Sequence, residues 1–274
     1  MMELPEILTM AQQVNDTLSG KVINHVFTAT YHHKFAFFCG DAEEYKALLT
    51  GKKILSAEGA GIFVDIKMED NTTLTIGDGV VMRYRKAGDK IPDKYQLLLI
   101  FEDETFLVFT VAMYGAIFAY KGELDNVYHQ SSFQKLSILD DRFDEDYFNT
   151  FFRDAKDTLS VKAFLATDQR FPGLGNGVLQ DILYHARINP KRKIGTLTPS
   201  EKKRLFQSVK DTLLNMTELG GRDTTTDLFG NKGKYKTVLS SKTYKNPCPV
   251  CGDTIVKEAY MGGSVYYCLT CQKL

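Results

Sequence analysis

The residues best suited to chemistry are four cysteines near the C-terminus, Cys248, Cys251, Cys268 and Cys271. They form two Cys-x-x-Cys pairs, and sixteen residues separate one pair from the other. Two such pairs offer four thiolates, which can complete a tetrahedral site around Zn²⁺. Because all four ligands would come from protein, no coordination position stays open for a reaction. The sequence therefore predicts one structural zinc ion, and the alternative is four free cysteines in a basic tail.

The cysteines do not define what such a finger binds. Gly252, Gly262 and Gly263 supply turns for a small β-hairpin, and residues 265–267 are typical of its strand. Zinc ribbons of this kind bind nucleic acids and also mediate protein contacts, so the choice depends on the rest of the chain.

A glycine-rich turn within residues 168–176 is the second segment suited to chemistry. Gly173 and Gly175 lie between two predicted helices, the second of which begins at Asn176. Glycines let backbone N–H groups approach an anion, and a helix N-terminus adds a favourable partial charge. The segment therefore predicts a phosphate clamp; the alternative is a plain helix–turn–helix hairpin with solvated lysines. A basic cluster downstream consists of Lys191, Arg192 and Lys193.

The bulk composition is that of an ordinary globular protein. The 274 residues are 43% hydrophobic and 25% charged, and the length favours two domains. No apolar run approaches the roughly 18 residues of a membrane span, and no leader-like segment precedes the first helix, so we expect a cytoplasmic protein. In that compartment paired cysteines indicate metal rather than disulfides, while Cys39 lies in an apolar run and is expected to be buried.

The net charge of zero conceals a division along the chain. From residue 151 onward there are 20 Lys and Arg against 11 Asp and Glu, a net charge of +9, whereas residues 1–150 carry −9. A polyanion would favour the C-terminal half. The alternative is a chance segregation of charge between two domains.

Periodicity separates a strand-rich half from a helical half. A helix over residues 3–19 has apolar side chains at helical spacing and ends at Gly20. Many short strands with tight turns then favour a β-sandwich or barrel. The predicted strands cover residues 22–29, 34–38, 54–57, 62–67, 72–76, 80–84, 95–101, 106–110 and 116–120.

Helical spacing returns after a polar segment without clear period. The predicted fold class is α+β, with an N-terminal helix plus β-sandwich domain followed by a helical domain and a four-cysteine hairpin. The predicted helices of the second half cover residues 144–155, 160–166, 176–186 and 199–219. The predicted boundaries are 1–121 for the sandwich domain, 122–142 for a linker, 143–221 for the helical domain, 222–245 for a mobile loop and 246–274 for the zinc finger.

The order of these features resembles that of the formamidopyrimidine-DNA glycosylase and endonuclease VIII family of base-excision-repair enzymes. The resemblance runs from end to end and rests on a combination of motifs. The residues that carry it are Glu3-Leu4-Pro5-Glu6, residues 168–176 with Ile182-Leu183, Gly220-Gly221, and Cys248 to Cys271 with Gln272.

The resemblance implies a monomeric two-domain clamp on damaged duplex DNA, with the damaged nucleotide flipped from the stack. Its helical domain would be a helix–two-turn–helix in which Asn176 hydrogen-bonds phosphates, with Gln169, Gly173 and Gly175 in the same turn. The N-terminal amine would attack C1′ of the sugar and form a Schiff base, Glu3 would assist proton transfer, and β-elimination would nick the strand.

The chain departs from the family pattern at the chemistry. The position after the initiator methionine, usually proline, is Met2. Removal of Met1 normally needs a small following residue, so we expect Met1 to be retained. Its α-amine would then be farther from Glu3 by up to ~3.5 Å of chain, a displacement that can cost ~100-fold in rate.

Cations and wedge residues of the family are also replaced. The hairpin that usually carries a lysine corresponds to residues 58–62, which contain no basic side chain. The wedge methionine corresponds to Asp78, and Tyr114 is the plausible wedge among residues 111–114. The finger's phosphate-binding arginine corresponds to Gly263. Fewer phosphate contacts would lower DNA affinity and flatten its salt dependence.

Three hypotheses remain open at this point. The first is an active glycosylase, with or without abasic-site lyase activity, that uses the amine of Met1 or a water activated by Glu3 or Glu6, with Asp78 as an unusual general base. The second is a DNA-binding or lesion-sensing protein, in which Glu3 and Glu6 only stabilise a helix N-terminus. The third is a retained fold that binds RNA or protein. The sequence does not identify the lesion, which the family recognises partly through the loop near residues 222–240.

Overall fold

The computed structural model describes residues 2–77 and 79–274, so Met1 and Asp78 lie outside the described residues. The described helices are α1 (Leu4–Leu18), α2 (Tyr45–Leu49), α3 (Val127–Gln134), α4 (Glu145–Asp154), α5 (Val161–Ala166), α6 (Asn176–Ala186) and α7 (Pro199–Glu218). The described strands are β1 (Ile23–Thr28), β2 (Ala36–Phe38), β3 (Ile54–Ala60), β4 (Phe63–Met68), β5 (Thr72–Ile76), β6 (Val80–Arg85), β7 (Leu97–Phe101), β8 (Phe106–Val111), β9 (Gly115–Lys121), β10 (Ile255–Tyr260) and β11 (Gly263–Cys268).

Two sheets form the N-terminal domain. One has the strand order β1-β7-β8-β6, and the other has the order β2-β9-β5-β4-β3. Apolar side chains of both sheets share one buried cluster, and helix α1 adds Ile7, Met10, Val14 and Leu18 from its helically spaced face. The β-sandwich predicted from alternating short strands is confirmed, and each of the nine predicted strands overlaps an observed one.

The segment predicted as a linker, residues 122–142, contains helix α3. Asn126 caps this helix by accepting a hydrogen bond from the backbone N–H of His129 at 2.9 Å. The buried face of α3 is polar, with His129 and Ser132 turned inward, and an apolar periodicity search does not detect such a helix. His129 Nε2 lies 2.9 Å from Asp65 Oδ1 on β4, so the segment between the domains is attached to the sandwich.

Helices α4 to α7 surround a second apolar cluster. Three of these helices have a side-chain cap at the N-terminus: Asp144 caps α4, Ser160 caps α5, and Thr198 caps α7, each through a side-chain oxygen that accepts a backbone N–H. The C-terminal cap of α6 is Arg187, which adopts the left-handed conformation. The glycine-rich turn lies between the end of α5 and the start of α6, as the sequence predicts.

The segment after α7, predicted as a mobile loop over residues 222–245, is packed along much of its length. Leu228, Tyr235 and Leu239 are buried. Asp181 of α6 accepts hydrogen bonds from the backbone N–H groups of Val238 at 2.9 Å and Leu239 at 2.8 Å. Residues 222–245, called the wall segment below, contact both the sandwich and the helical domain. Their mobility stays a prediction.

The C-terminal residues form an antiparallel hairpin of β10 and β11, as the turn glycines indicate. Tyr266 and Cys268 of β11 are buried with Tyr184 of α6, so the hairpin packs on the helical domain. Among the described residues, no helix is both long and apolar enough for a membrane crossing.

Candidate functional site

Glu3 immediately precedes α1, and its carboxylate lies at the N-terminus of α6. Its Oε1 accepts the backbone N–H of Gly177 at 2.8 Å, and its Oε2 accepts that of Val178 at 2.7 Å. Both N–H groups belong to the first turn of α6, whose helix dipole also favours a negative charge there. The backbone N–H of Leu4 donates to Gly173 O at 2.9 Å and fixes the start of α1 against the glycine-rich turn.

Glu6 is buried one turn farther along α1 and pairs with Arg222 from the wall segment. The guanidinium donates from Nε to Glu6 Oε1 at 2.9 Å and from Nη2 to Glu6 Oε2 at 2.8 Å. Burial alone would raise the pKa of Glu6, but the hydrogen bonds and positive charge of Arg222 outweigh burial and leave that pKa below its ordinary value. Glu6 therefore stays ionised at neutral pH.

Glycines in the turn leave room for these carboxylates. A Cβ on Gly175 would lie 2.7 Å from Glu3 Oε1, and a Cβ on Gly177 would lie 1.7 Å from Arg222 Nη1. Gly173 has φ +83°, and its Cβ would lie 2.5 Å from Gly61 O of the β3–β4 hairpin. The glycines thus leave space for the sandwich domain to pack against the turn, whereas the sequence predicts that they leave space for a phosphate.

A cavity of about 230 Å³ opens beside Met2, the residue that precedes Glu3. The wall segment lines one side of the cavity with Thr224, Thr225 and Thr226. Strand β6 lines another side with Arg83. Arg83 hydrogen-bonds Asp227 O at 2.9 Å and also contacts the hydroxyl of Thr226, so strand and wall are joined. The cavity combines hydroxyls, a guanidinium and apolar surface, a lining suited to a heteroaromatic ligand.

Tyr114, the predicted wedge, lies at the rim of this cavity on the loop between β8 and β9. Its side chain is 41% exposed, and neighbouring Met113 is 65% exposed. The loop thus has two exposed side chains that could serve as the wedge in a base stack. Met113 is not predicted as a wedge from the sequence. The roles predicted for the α-amine of Met1 and for Asp78 lie outside the described residues.

Asn176 begins α6 and faces the zinc-finger hairpin. Its Nδ2 donates to Ser264 O at 3.0 Å, and a Cβ on Gly263 would be 3.4 Å from that Nδ2. Its Oδ1 is buried without a hydrogen-bond partner among the described residues. Gly263 therefore adjoins Asn176, the residue predicted to bind phosphate. The same turn includes Gln169, whose carbonyl accepts a hydrogen bond from Lys135.

The basic cluster at residues 191–193 is largely engaged within the protein. Lys191 Nζ lies 2.9 Å from Glu258 Oε1 of the hairpin, and Arg192 Nη2 donates to Glu201 Oε2 at 2.9 Å. Lys193 is exposed. The first two cations stabilise contacts of the helical domain, so their predicted role in DNA binding competes with these ion pairs.

The four cysteine sulfurs lie within 4.8 Å of one another, two on the turn before β10 and two at the end of β11. The Sγ atoms are 3.8 Å apart for Cys248 and Cys271 and 3.4 Å apart for Cys251 and Cys268. Zn–S bonds of about 2.3 Å in a tetrahedron place sulfurs about 3.8 Å apart, whereas a disulfide needs about 2.05 Å. The donor set therefore fits a metal ion.

Several residues that join α1, α6 and the cavity are not predicted as site residues from the sequence. They are Arg222, Asp181 and the threonines at residues 224–226. A signal was present, since Gly220-Gly221 is immediately followed by Arg222, but no sequence pattern relates that arginine to Glu6, 216 positions earlier.

Comparison with known proteins agrees with this geometry. The family profile described as "Formamidopyrimidine-DNA glycosylase N-terminal domain" matches residues 1–157. The formamidopyrimidine-DNA glycosylases of Lactobacillus delbrueckii subsp. bulgaricus and Pelotomaculum thermopropionicum are each 28% identical to the chain, with 100% of both chains covered.

Solved structures of the same kind superpose on nearly the whole chain. MutM (Fpg) from Thermus thermophilus has a TM-score of 0.80 at 23% identity and covers 98% of each chain. Lactococcus lactis Fpg, in a complex with DNA containing an abasic site, has a TM-score of 0.85 at 25% identity and covers 99% of this chain and 100% of that one.

Sandwich, glycine-turn helix pair and four-cysteine hairpin together define a two-domain DNA-glycosylase scaffold, which confirms the predicted α+β fold class. Since the matching profile spans more than half of the chain, the protein belongs to the formamidopyrimidine-DNA glycosylase family.

Proposed function

We propose that this protein is a base-excision-repair glycosylase that binds damaged duplex DNA and accepts a flipped base in the cavity beside Met2. The observation that carries the proposal is that the cavity opens at Met2, directly before Glu3, whose carboxylate is held by the first turn of α6. The apolar and hydroxyl-bearing lining suits a base turned out of the stack, and the candidate acid–base residue Glu3 follows the lining residue Met2 in the chain.

The chemistry we propose follows the family pattern. The lone pair of the N-terminal amine bonds to C1′, the bond from C1′ to the base breaks, and the base leaves with that electron pair and takes up a proton. The amine loses a proton, and its lone pair forms the C1′=N bond of a Schiff base as the C1′–O4′ bond breaks and O4′ takes up a proton. Abstraction of a C2′ proton then breaks the C3′–O bond and expels the 3′ phosphate. With Met2 in place of proline, the amine is primary and belongs to Met1, so the lyase step is tested separately from base release.

We further propose that Cys248, Cys251, Cys268 and Cys271 hold one structural Zn²⁺. The support is the spacing of their sulfurs, which matches the edges of a tetrahedral site. The ion would stabilise the hairpin and thereby place Ser264 and Gly263 against Asn176. It takes no part in bond breaking because no ligand position is open.

The test uses duplexes carrying oxidised purines, oxidised pyrimidines or an abasic site, with base release measured by mass spectrometry and borohydride added to trap a Schiff base. We expect base release from at least one duplex and an adduct on the N-terminal peptide. Glu3→Gln should lower the rate of release by ~100-fold or more, because it removes a charge held at the reacting end. Absence of both release and adduct across the panel would refute the glycosylase.

One observation favours a second candidate, a lesion-binding protein without this chemistry. The carboxylates of Glu3 and Glu6 are both engaged by backbone N–H groups and by Arg222, an arrangement that also suits a purely structural carboxylate pair. Tight binding to an abasic duplex with neither release nor adduct would select this candidate. In either case Asn176→Ala should weaken DNA binding.

A further inference from the structure

Arg222 is the most deeply buried cation near the site, with a side chain that is 4% exposed. Besides its two side-chain hydrogen bonds to Glu6, its backbone N–H donates to Glu6 Oε1 at 3.0 Å. Its Nη1 lies 3.5 Å from Glu3 Oε2. One guanidinium therefore contacts both carboxylates of the Glu3–Glu6 motif.

The two carboxylates depend on this cation. Glu3 and Glu6 are 4% and 5% exposed, and the backbone N–H of Glu3 donates to Glu6 Oε2 at 2.9 Å. Two buried carboxylates that share one cation would repel each other without it, so loss of Arg222 would drive them apart or toward solvent. Burial disfavours the charged guanidinium, but the charges of Glu3 and Glu6 outweigh burial and raise the pKa of Arg222.

Arg222 also begins the wall of the cavity. The backbone N–H of Asp223 donates to Tyr235 O at 2.9 Å, and that of Tyr235 donates to Gly221 O at 3.1 Å. These two bonds pair residues 221–223 with Tyr235 and fix the backbone on both sides of Arg222. The threonines that line the cavity follow at residues 224–226. A shift of Arg222 would therefore move the cavity wall and Glu3 together.

We propose that Arg222 is a positioning residue for the proposed excision reaction, because it fixes the Glu3 carboxylate at the first turn of α6 and holds the threonine wall against it. This inference rests on the proposed function, since it assigns Arg222 a part in the same site. Arg222 acts through Glu3 and Glu6, and it is not one of the described residues that line the cavity.

A merely structural arginine would give a different pattern of effects. Its loss would lower stability and leave the local geometry of Glu3 and the rate constant of base release unchanged in the folded fraction. A positioning arginine affects the rate constant more than substrate binding, because the phosphate contacts predicted for Asn176 involve other atoms. The fork of the guanidinium also matters, so a lysine can replace its charge but not its paired hydrogen bonds.

The experiment compares Arg222→Met and Arg222→Lys with wild type and with Lys21→Met. Lys21 pairs with Asp103 on the sandwich, and its side chain is 19% exposed, so its substitution removes a partly buried ion pair away from the cavity. Two main quantities are measured on protein shown to be folded by circular dichroism: the single-turnover rate of base release, and the hydrogen-exchange rates of the Gly177 and Val178 amides. The Kd for the same duplex is measured alongside them.

For Arg222→Met we expect base release to fall by about 100-fold with a Kd changed by less than about threefold. Exchange at Gly177 and Val178 should accelerate at least about tenfold, since their carboxylate partner is released. Arg222→Lys, which retains the charge and serves if the methionine variant does not fold, should lie between it and wild type in both quantities. Lys21→Met should match wild type.

Exchange rates that stay at the wild-type value in the Arg222 variants would overturn the positioning role, whether or not the protein excises bases. The same holds if base release is unaffected in Arg222→Met. If wild-type protein releases no base from any duplex, the proposed function fails by itself, and the exchange measurement then decides whether Arg222 positions Glu3.

Discussion

The helical half and the sandwich half of this protein offer different things to a DNA duplex. The helical half, with the finger, has a net charge of +9, and it includes Asn176, the residue predicted to bind phosphate. The sandwich half has a net charge of −9, and residues 58–62 of its β3–β4 hairpin include no basic side chain. The two halves thus carry opposite net charges, and only that of the helical half attracts a polyanion.

The largest effect we expect concerns the finger, which belongs to the half with the positive net charge. Replacement of both Cys268 and Cys271 by serine should release the metal and unfold the hairpin, because structural zinc contributes on the order of 10 kcal/mol to such modules. DNA affinity should fall by more than ~100-fold, equivalent to about 2.7 kcal/mol. Cys39→Ser is the matched control and should retain full zinc content and affinity. Normal DNA binding by the double variant would show that the finger does not contribute to the DNA affinity of this half.

The sandwich half is tested through Asp65, which accepts hydrogen bonds from His129, Thr75 and Lys67. Asp65→Asn should lower the free energy of unfolding by about 3 kcal/mol at pH 7. Asp70→Asn, at an exposed ion pair with Lys52, should leave the free energy of unfolding nearly unchanged.

The loss from Asp65→Asn should also depend on pH. Burial raises the pKa of Asp65, but its hydrogen bonds to His129, Thr75 and Lys67 lower it more, and the net pKa is below its ordinary value. The stabilisation is therefore present above the unfolded-state pKa and disappears as the pH falls through the folded-state value. Urea titrations at pH 7 and at pH 3 measure both effects, and an equal gap at the two pH values would contradict the assignment.

Asn176→Ala should have an intermediate effect on DNA binding. Loss of one hydrogen bond to a charged phosphate corresponds to about 1.5–3 kcal/mol, or roughly 10- to 150-fold in Kd. Fluorescence anisotropy with an abasic duplex measures it, and Asn246→Ala on the segment before the finger is the control. Equal Kd values for wild type and Asn176→Ala would point to a ligand other than DNA.

The smallest effect, Gly263→Arg, restores a cation where this chain has none. The residue lies next to Asn176 and its φ is not in the left-handed region, so a side chain is tolerated there. We expect affinity to rise by about fivefold at low salt, with the slope of log K against log salt steeper by about 1. Gly263→Gln provides length without charge and should leave the slope unchanged. A steeper slope in both variants would exclude charge as the cause.

The predictable part of the molecule is the part that local chemistry dictates. The helices predicted over residues 176–186 and 199–219 match α6 and α7 to within one residue at each end, and the short alternating strands correctly predicted the sandwich. Helix α3 was missed because its inward face is held by His129 and Asp65 rather than by apolar burial. The order of motifs indicated Glu3, but the Arg222 contact depends on tertiary packing over 216 positions, which no local pattern encodes.

Gly177 has a consequence for any attempt to redesign or diversify this chain. The Arg222 guanidinium occupies the space that Gly177 leaves free, since a Cβ at residue 177 would lie only 1.7 Å from Arg222 Nη1. We therefore expect the two positions to be coupled: an alanine at 177 would displace the Arg222 guanidinium, and its Cβ would also lie 3.0 Å from Glu3 Oε1. A library that varies either position alone would discard combinations that function when both change together, so the pair should be mutated as one unit.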